Sequence, residues 1–275
     1  MTPTPLGVAV IGPGRAGRAR IRALERSSRA RLVRTVGRGD SLAEALADPA
    51  VHALFVCTPN QLHAEAARAA LGAGKHALVE FPLAATAGEA RALFERARGA
   101  GRVLHVEHIE LLAPSQAWLR ERVRTLGAPR EGEVRFSGDA AGWIAQPELA
   151  GSAPLCALAR LHRLVDLFGS AEVRAARLEA SVGARRLEVE LGFAGGGRVR
   201  LVESRAPGLA RSSEWAVECA RGRLDSPPAE PPGELFARDL EVFSDRVDSG
   251  AASYVSEARE LEVLELVGAM EAKLC

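Results

Sequence analysis

Gly12, Gly14 and Gly17, in the run Gly12-Pro13-Gly14-Arg15-Ala16-Gly17, have the spacing of a loop that cradles a dinucleotide pyrophosphate. Each glycine serves a different need. The first permits a tight turn, the second lets phosphate oxygens approach the backbone, and the third lets the following helix meet the preceding strand. A helix opening at Arg15 adds free N–H groups and the positive end of its dipole. Such spacing is a weak signal in a chain with 27 glycines, and it gains weight from its place between an apolar run and a helical stretch. Farther on, Val36-Gly37-Arg38-Gly39 puts a guanidinium where an NAD site carries a carboxylate, with Asp40 beyond it. Arg38 can grip a ribose 2′-phosphate through paired, charge-assisted hydrogen bonds; otherwise it is a solvated loop charge. NADP(H) is the expected cofactor and NAD(H) the alternative.

Only Lys75 and Lys273 are lysines among 36 basic residues, so almost any cationic clamp must be an arginine. The 36 basic and 35 acidic residues leave a net charge of +1, no excess for gripping nucleic acid or anionic lipid. Hydrophobic residues at 47% and charged ones at 26% suit an ordinary globular chain. No apolar run approaches the roughly 20 residues that span a bilayer, and MTPTPLGVAVIG lacks the features of a secretory signal. Cys57, Cys156, Cys219 and Cys275 form no CxxC pair, which argues against a zinc site or a disulfide framework. No metal is expected, and the cytoplasm is the expected location.

The elements that must position these residues fall into two patterns. Over the first 110 residues, apolar strands alternate with Ala/Arg/Glu-rich helices, as in βαβ units over a parallel sheet. Strands are expected at Leu6–Ile11, Arg31–Val36, Ala53–Cys57, Ala77–Val79 and Val103–Glu107, with helices at Arg15–Ser27, Ser41–Leu46, Gln61–Leu71 and Gly88–Ala97. From about residue 132 the strands alternate strictly with no long helix between them. Leu187, Val189, Leu191 and Phe193 share one face and Glu188 and Glu190 the other. After Gly195-Gly196-Gly197, Val199 and Leu201 continue the apolar face, and Arg198 and Arg200 the charged one, which predicts a hairpin with Glu–Arg pairs across it. Ser226–Gly233 is a proline-rich loop, and Phe236, Leu240, Phe243 and Val247 form one stripe of a following helix. The fold class is α/β: an N-terminal Rossmann dinucleotide-binding domain plus a C-terminal α+β domain with a large, mainly antiparallel open sheet. The expected boundaries are 1–112 for the NADP-binding domain, with a helix over 256–275 packing back on it, and 113–255 for the substrate domain. The charged alternation on the sheet favours a monomer, with a homodimer as the alternative.

Phe55-Val56-Cys57-Thr58-Pro59-Asn60-Gln61-Leu62-His63 and Ala73-Gly74-Lys75-His76-Ala77-Leu78-Val79-Glu80-Phe81-Pro82 resemble the glucose–fructose oxidoreductase/inositol dehydrogenase (Gfo/Idh/MocA) superfamily. Its sugar dehydrogenases carry Glu-Lys-Pro at Glu80-Phe81-Pro82, and that lysine helps deprotonate the alcohol. They also carry an Asp and a His where Leu155–Gly169 has Ala159 and Arg163. Alcohol oxidation needs such a base, so a sugar dehydrogenase is disfavoured. Within the superfamily the chain resembles the biliverdin reductases, through Gly14-Arg15-Ala16-Gly17, Arg102–Leu112 (RVLHVEHIELL), Ala159-Arg160-Leu161, Leu167-Phe168-Gly169 and Pro207-Gly208-Leu209.

That resemblance implies hydride transfer from NADPH to the central methine carbon of biliverdin, a linear tetrapyrrole, with protonation of a pyrrole nitrogen to give bilirubin. It places Arg160 beside the bilin, donating a proton or ordering a water. Arg163 binds a propionate or is structural, and His162 contacts substrate or is simply packed. Glu107 and Glu110 are catalytic candidates with structural roles as the alternative. Phe81 packs on nicotinamide, on bilin or in the core, Glu80 and His108 shape the nicotinamide pocket, and Thr58 and Pro59 bind the cofactor. Two other functions stay open: a related NADP-dependent oxidoreductase acting on a sugar or carbonyl, and a non-catalytic NADP(H)-binding sensor.

Overall fold

The computed structural model describes residues 4–229 and 234–274. The chain divides into two compact units, Met1–Ile109 with Glu234–Leu261, and Glu110–Gly233 with Glu262–Cys275.

The first unit alternates β1 (Leu6–Ile11), α1 (Arg15–Glu25), β2 (Ala30–Val36), α2 (Leu42–Ala47), β3 (Ala53–Val56), α3 (His63–Gly72), β4 (His76–Val79), α4 (Ala87–Ala100) and β5 (Leu104–Val106). The strands pair in parallel in the order β2-β1-β3-β4-β5. Val8, Ala9 and Val10 are fully buried, as a strand with both faces covered requires. Local signals set the helix ends. Thr86 accepts the Glu89 N–H at the start of α4, and Gly101 ends it in a left-handed conformation, a side-chain N-cap paired with a glycine stop.

The second unit contains α5 (Pro114–Leu126), β6 (Pro129–Asp139), the short α6 (Pro147–Ala150) and α7 (Ala153–Cys156), α8 (Leu158–Phe168), β7 (Ala171–Ser181), β8 (Ala184–Phe193), β9 (Arg198–Ala206), β10 (Ser212–Cys219) and β11 (Gly222–Asp225). Its sheet runs β11-β10-β6-β9-β8-β7. All neighbours are antiparallel except β6 and β9, which run parallel. The expected face is present: Leu187, Val189, Leu191, Val199 and Leu201 are buried. Across the hairpin the ion pairs are diagonal, Arg198–Glu190 at 3.8 Å and Arg200–Glu188 at 4.0 Å.

Three expectations need correction. A helix, α8, does interrupt the strands after residue 132. Leu158, Leu161, Leu164, Val165 and Phe168 are all buried, a helical rather than a strand period. The stretch from Glu234, expected in the second domain, belongs to the first unit. The reason is packing: α9 (Leu235–Ser249) buries Leu240 and Phe243 in one cluster with Val8, Val10, Phe55 and Leu78, and the Phe243 ring meets Phe55 edge-on at 5.3 Å. Of α10 (Glu257–Leu274), residues to Leu261 belong to the first unit and those from Glu262 to the second, although the whole helix was expected with the first. The expected proline-rich loop lies, over 230–233, outside the described residues.

Candidate functional site

In the first unit the glycine loop is built to admit a ligand. Gly12 sits at φ +83°, and a Cβ there would lie 2.6 Å from the Cys57 carbonyl oxygen; a Cβ on Gly17 would meet the Gly12 oxygen at 2.3 Å. Both positions therefore exclude any other residue. A Cβ on Gly14 would meet nothing within 4 Å, so one side of the loop is open. Gly14 begins α1 without a side-chain cap, which leaves the first N–H groups, at Arg15, Ala16 and Gly17, facing whatever binds. Arg15 and Arg38 are exposed. Asp40 is occupied: its Oδ2 accepts the Gly37 N–H at 2.7 Å, closing the turn after β2. These features fit a dinucleotide.

The strand ends supply the rest. Thr58 and Pro59 follow β3, and the Thr58 Oγ1 is buried with no hydrogen-bond partner among the described residues, as expected of a hydroxyl waiting for a ligand. His63 lies 2.7 Å from both the Thr58 and the Pro82 carbonyl oxygens, tying the loops after β3 and β4 together. Glu80 and Phe81 follow β4. The Phe81 ring stacks on His108 at 5.9 Å, and His108 also pairs with Glu260.

Behind Glu80 lies a charged network that the sequence reading did not anticipate. Arg20 of α1 is fully buried. Its Nε donates to Glu80 Oε1 at 2.7 Å, its Nη1 stands 2.6 Å from Asp239 Oδ2, and the Phe236 ring lies 4.8 Å away. Asp239 Oδ1 receives Tyr254 OH at 2.6 Å and lies 2.8 Å from His105 Nε2. The His108 N–H donates to the Tyr254 oxygen. Burial alone would raise the Asp239 carboxyl, but Arg20, His105 and Tyr254 outweigh it and hold the group well below the usual range. Glu107 behaves oppositely. Burial, then the nearby Glu80 and Asp239 charges, push it well above the carboxylate range, against Arg20 and the Ile109 N–H. The signal in the sequence was Arg20 itself, which shares the buried face of α1 with Gly17, Ala23 and Leu24.

In the second unit α8 presents Arg160, which is 6% exposed. Its guanidinium lies 3.8 Å from the Phe136 ring centroid, its Nη1 is 3.5 Å from Glu110 Oε1, and its Nε is 3.8 Å from Glu203 Oε2. Arg211 also pairs with Glu110. Burial opposes ionisation of Glu110, yet Arg160, Arg211 and Arg163 outweigh it and bring its pKa to about 2. Phe136, Glu203 and Arg211 were missed because they come from three strands or loops far apart in sequence. Arg163 Nε donates to Gln116 Oε1 at 2.8 Å and its guanidinium lies 5.2 Å from the Trp215 ring, so it is engaged by packing within its own unit. His162 is buried.

Thus Glu80, Phe81, Glu107 and His108 come together at the ends of β4 and β5, and Arg160 and Glu110 form a pair in the second unit. Among the described residues no helix is long and apolar enough to cross a membrane.

Residues 34–108 match the family model for the Gfo/Idh/MocA oxidoreductases, described as an oxidoreductase family with an NAD-binding Rossmann fold. Biliverdin reductase A of Mus musculus is 30% identical over 98% of this chain and 96% of its own. Biliverdin reductase from Synechocystis sp. PCC 6803, solved in complex with biliverdin and NADP+, superposes with a TM-score of 0.86 at 24% identity, over 98% of this chain and 99% of the other. GenD2 from gentamicin A biosynthesis, solved with NAD, also gives 0.86 at 21% identity, over 99% and 95%. These two structural likenesses establish the fold, which the superfamily shares across its chemistries. The identity to the mouse enzyme extends over nearly the whole of both chains, and with the intact dinucleotide loop it makes this protein a member of the biliverdin reductase family of Gfo/Idh/MocA-type, NAD(P)-dependent oxidoreductases.

Proposed function

We propose that the protein is an NADPH-dependent biliverdin reductase. The observation that carries this reading is Phe81. The position that follows Glu80 holds a ring stacked on His108 and offers no amine to deprotonate an alcohol, whereas reduction of a conjugated methine needs no such base. When bound, NADPH supplies the hydride, which goes to the central methine carbon of the bilin while a proton goes to a pyrrole nitrogen.

Residues of this chain divide the remaining work. Gly12, Gly14, Arg15, Ala16 and Gly17 hold the pyrophosphate on backbone N–H groups. Thr58 and Pro59 would contact the nucleotide through the loop after β3, where the Thr58 hydroxyl is buried without a partner among the described residues, and Glu80, Phe81 and His108 would shape the nicotinamide end. Arg38 recognises the 2′-phosphate. This preference for NADP over NAD is supported by its exposure and by its place just after β2, where an NAD site carries a carboxylate. Arg160 is the principal substrate contact; its fixed guanidinium stabilises charge on the bilin, and Glu110 holds it in place. His162 and Arg163 support it from the same helix. Glu107 is a buried proton-holding group. The free thiols of Cys57, Cys156 and Cys219 and the self-compensated charges on the sheet support a monomer working in the cytoplasm.

The test is to mix purified protein with biliverdin IXα and NADPH and follow the visible spectrum. The pigment's red band should give way to the blue-region band of bilirubin. An unchanged spectrum, with NADPH binding verified by titration, would overturn the reading.

A further inference from the structure

Glu80 and Glu107 close neighbouring parallel strands: the Glu80 N–H donates to the Val56 carbonyl and the Glu107 N–H to that of Val79. Their surroundings treat them very differently. Glu80 takes the Nε of Arg20 at 2.7 Å and keeps 13% of its side chain exposed. Glu107 is 1% exposed; its Oε1 accepts the Ile109 N–H at 2.6 Å, and its Oε2 has no partner among the described residues. A carboxylate enclosed in this way without a cation of its own neutralises instead of staying charged. The fully buried guanidinium of Arg20 is committed elsewhere, to Glu80 at one edge and to Asp239, at 2.6 Å, at the other.

The titratable and charged groups facing Glu107 from the elements around it are Glu80 after β4, Arg20 of α1, Asp239 of α9, Cys57 after β3 and Tyr254 ahead of α10. Only Arg20 among them is a fixed cation. We propose that Arg20 is a positioning residue that sorts the two carboxyls, clamping Glu80 as the anion and leaving Glu107 as the neutral acid at the strand ends assigned above to the nicotinamide. A neutral acid there keeps a proton in store without placing a second negative charge beside the hydride donor. The inference rests on the cofactor assignment for its location only; where the proton resides is a property of these side chains.

Infrared difference spectra of the whole protein at neutral pH, in H2O and D2O, test it. Wild type minus E107Q should contain the carbonyl band of a protonated carboxyl. R20Q leaves Glu80 and Asp239 without their shared cation, so R20Q/E107Q should keep a protonated-carboxyl band, and adding E80Q or D239N separately identifies the carboxyl that carries it. R20K, which retains the charge, should restore dependence on Glu107 alone. Should R20Q fail to fold, E80Q decides: removing the neighbouring anion should shift the loss of the Glu107 band to lower pH. The proposal is overturned by a missing band in wild type minus E107Q, by a band-free R20Q/E107Q, or by an E80Q band that titrates as in wild type. NADP+ affinity, measured by titration calorimetry on wild type and R20K, is read separately. Failure of the wild type to bind would overturn the cofactor assignment and leave the carboxyl result standing.

Discussion

Arg160 lies with its guanidinium 3.8 Å from the centroid of the Phe136 ring. A cation over an aromatic face in a desolvated setting contributes on the order of 2 kcal/mol, and here it also fixes the plane of the guanidinium. Two carboxylates flank it, Glu110 at 3.5 Å from its Nη1 and Glu203 at 3.8 Å from its Nε. The side chain is set before any substrate arrives, which is the condition for electrostatic stabilisation in a transition state.

Arg160→Ala should therefore lower kcat/KM for biliverdin at least about tenfold, a loss of roughly 1.4 kcal/mol or more. NADPH affinity should stay within about twofold, because no first-unit residue of the dinucleotide loop is altered. Steady-state kinetics and a fluorescence titration check both halves. Unchanged turnover would remove Arg160 from the reaction.

The glycine loop separates folding from binding. Gly12→Ala forces a left-handed backbone on alanine and a Cβ 2.6 Å from the Cys57 oxygen, so it should cost about 1–3 kcal/mol or more of stability. Gly14→Ala meets nothing and should leave the melting temperature of the free protein unchanged. Its methyl group would occupy the side from which a pyrophosphate approaches, so NADPH Kd should rise at least about tenfold. Equal effects of the two substitutions on melting would contradict this division.

Arg38→Ala should raise KM for NADPH about tenfold or more while moving KM for NADH little, since one charge-assisted phosphate contact is worth roughly 1.5–3 kcal/mol. A ratio of the two KM values that does not change would return Arg38 to the status of a solvated loop charge.

Acid should weaken the second unit through Glu110. Its pKa is about 2 in the folded protein against an ordinary glutamate value of 4.5. Because the folded value is the lower one, the stabilisation is complete above the unfolded value and is lost as pH falls from about 4.5 toward 2. The gap corresponds to on the order of 3 kcal/mol. Arg211→Ala takes away one of the cations that depress it, so its urea midpoint should depend less steeply on pH over this window than that of the wild type.

Much of the first unit was readable because its signals are local. A run of buried apolar residues and a glycine turn each act within a few positions. The long-range pairings were not. Nothing near Phe243 indicates that its ring will meet Phe55, and β6 and β9 are drawn together in parallel from opposite sides of α8. The candidate site divides in the same way. Gly12, Thr58, Glu80 and His108 follow from motif and strand end. Arg20, Asp239 and Tyr254 come from three distant segments and are tied by charge and hydrogen bonds, which leave no period in a sequence. Arg20 is the exception in one respect, since an arginine on the apolar stripe of a helix requires a buried carboxylate to meet it.

The return of α9 to the first sheet bears on how the protein is made. Leu240 and Phe243 belong to the same core as Val8, Val10 and Phe55, yet a ribosome delivers them only after the whole of the second sheet has been synthesised. A nascent chain that has released β1 to β5 cannot complete its own interior, and holds apolar surface open through the time needed to translate more than a hundred further residues, several seconds at about 5–20 residues per second. Vectorial folding from the N-terminus is thereby ruled out for the nucleotide-binding unit. Its interior stays open until α9 emerges, and nascent chains stalled before Leu240 should be the ones that chaperones hold.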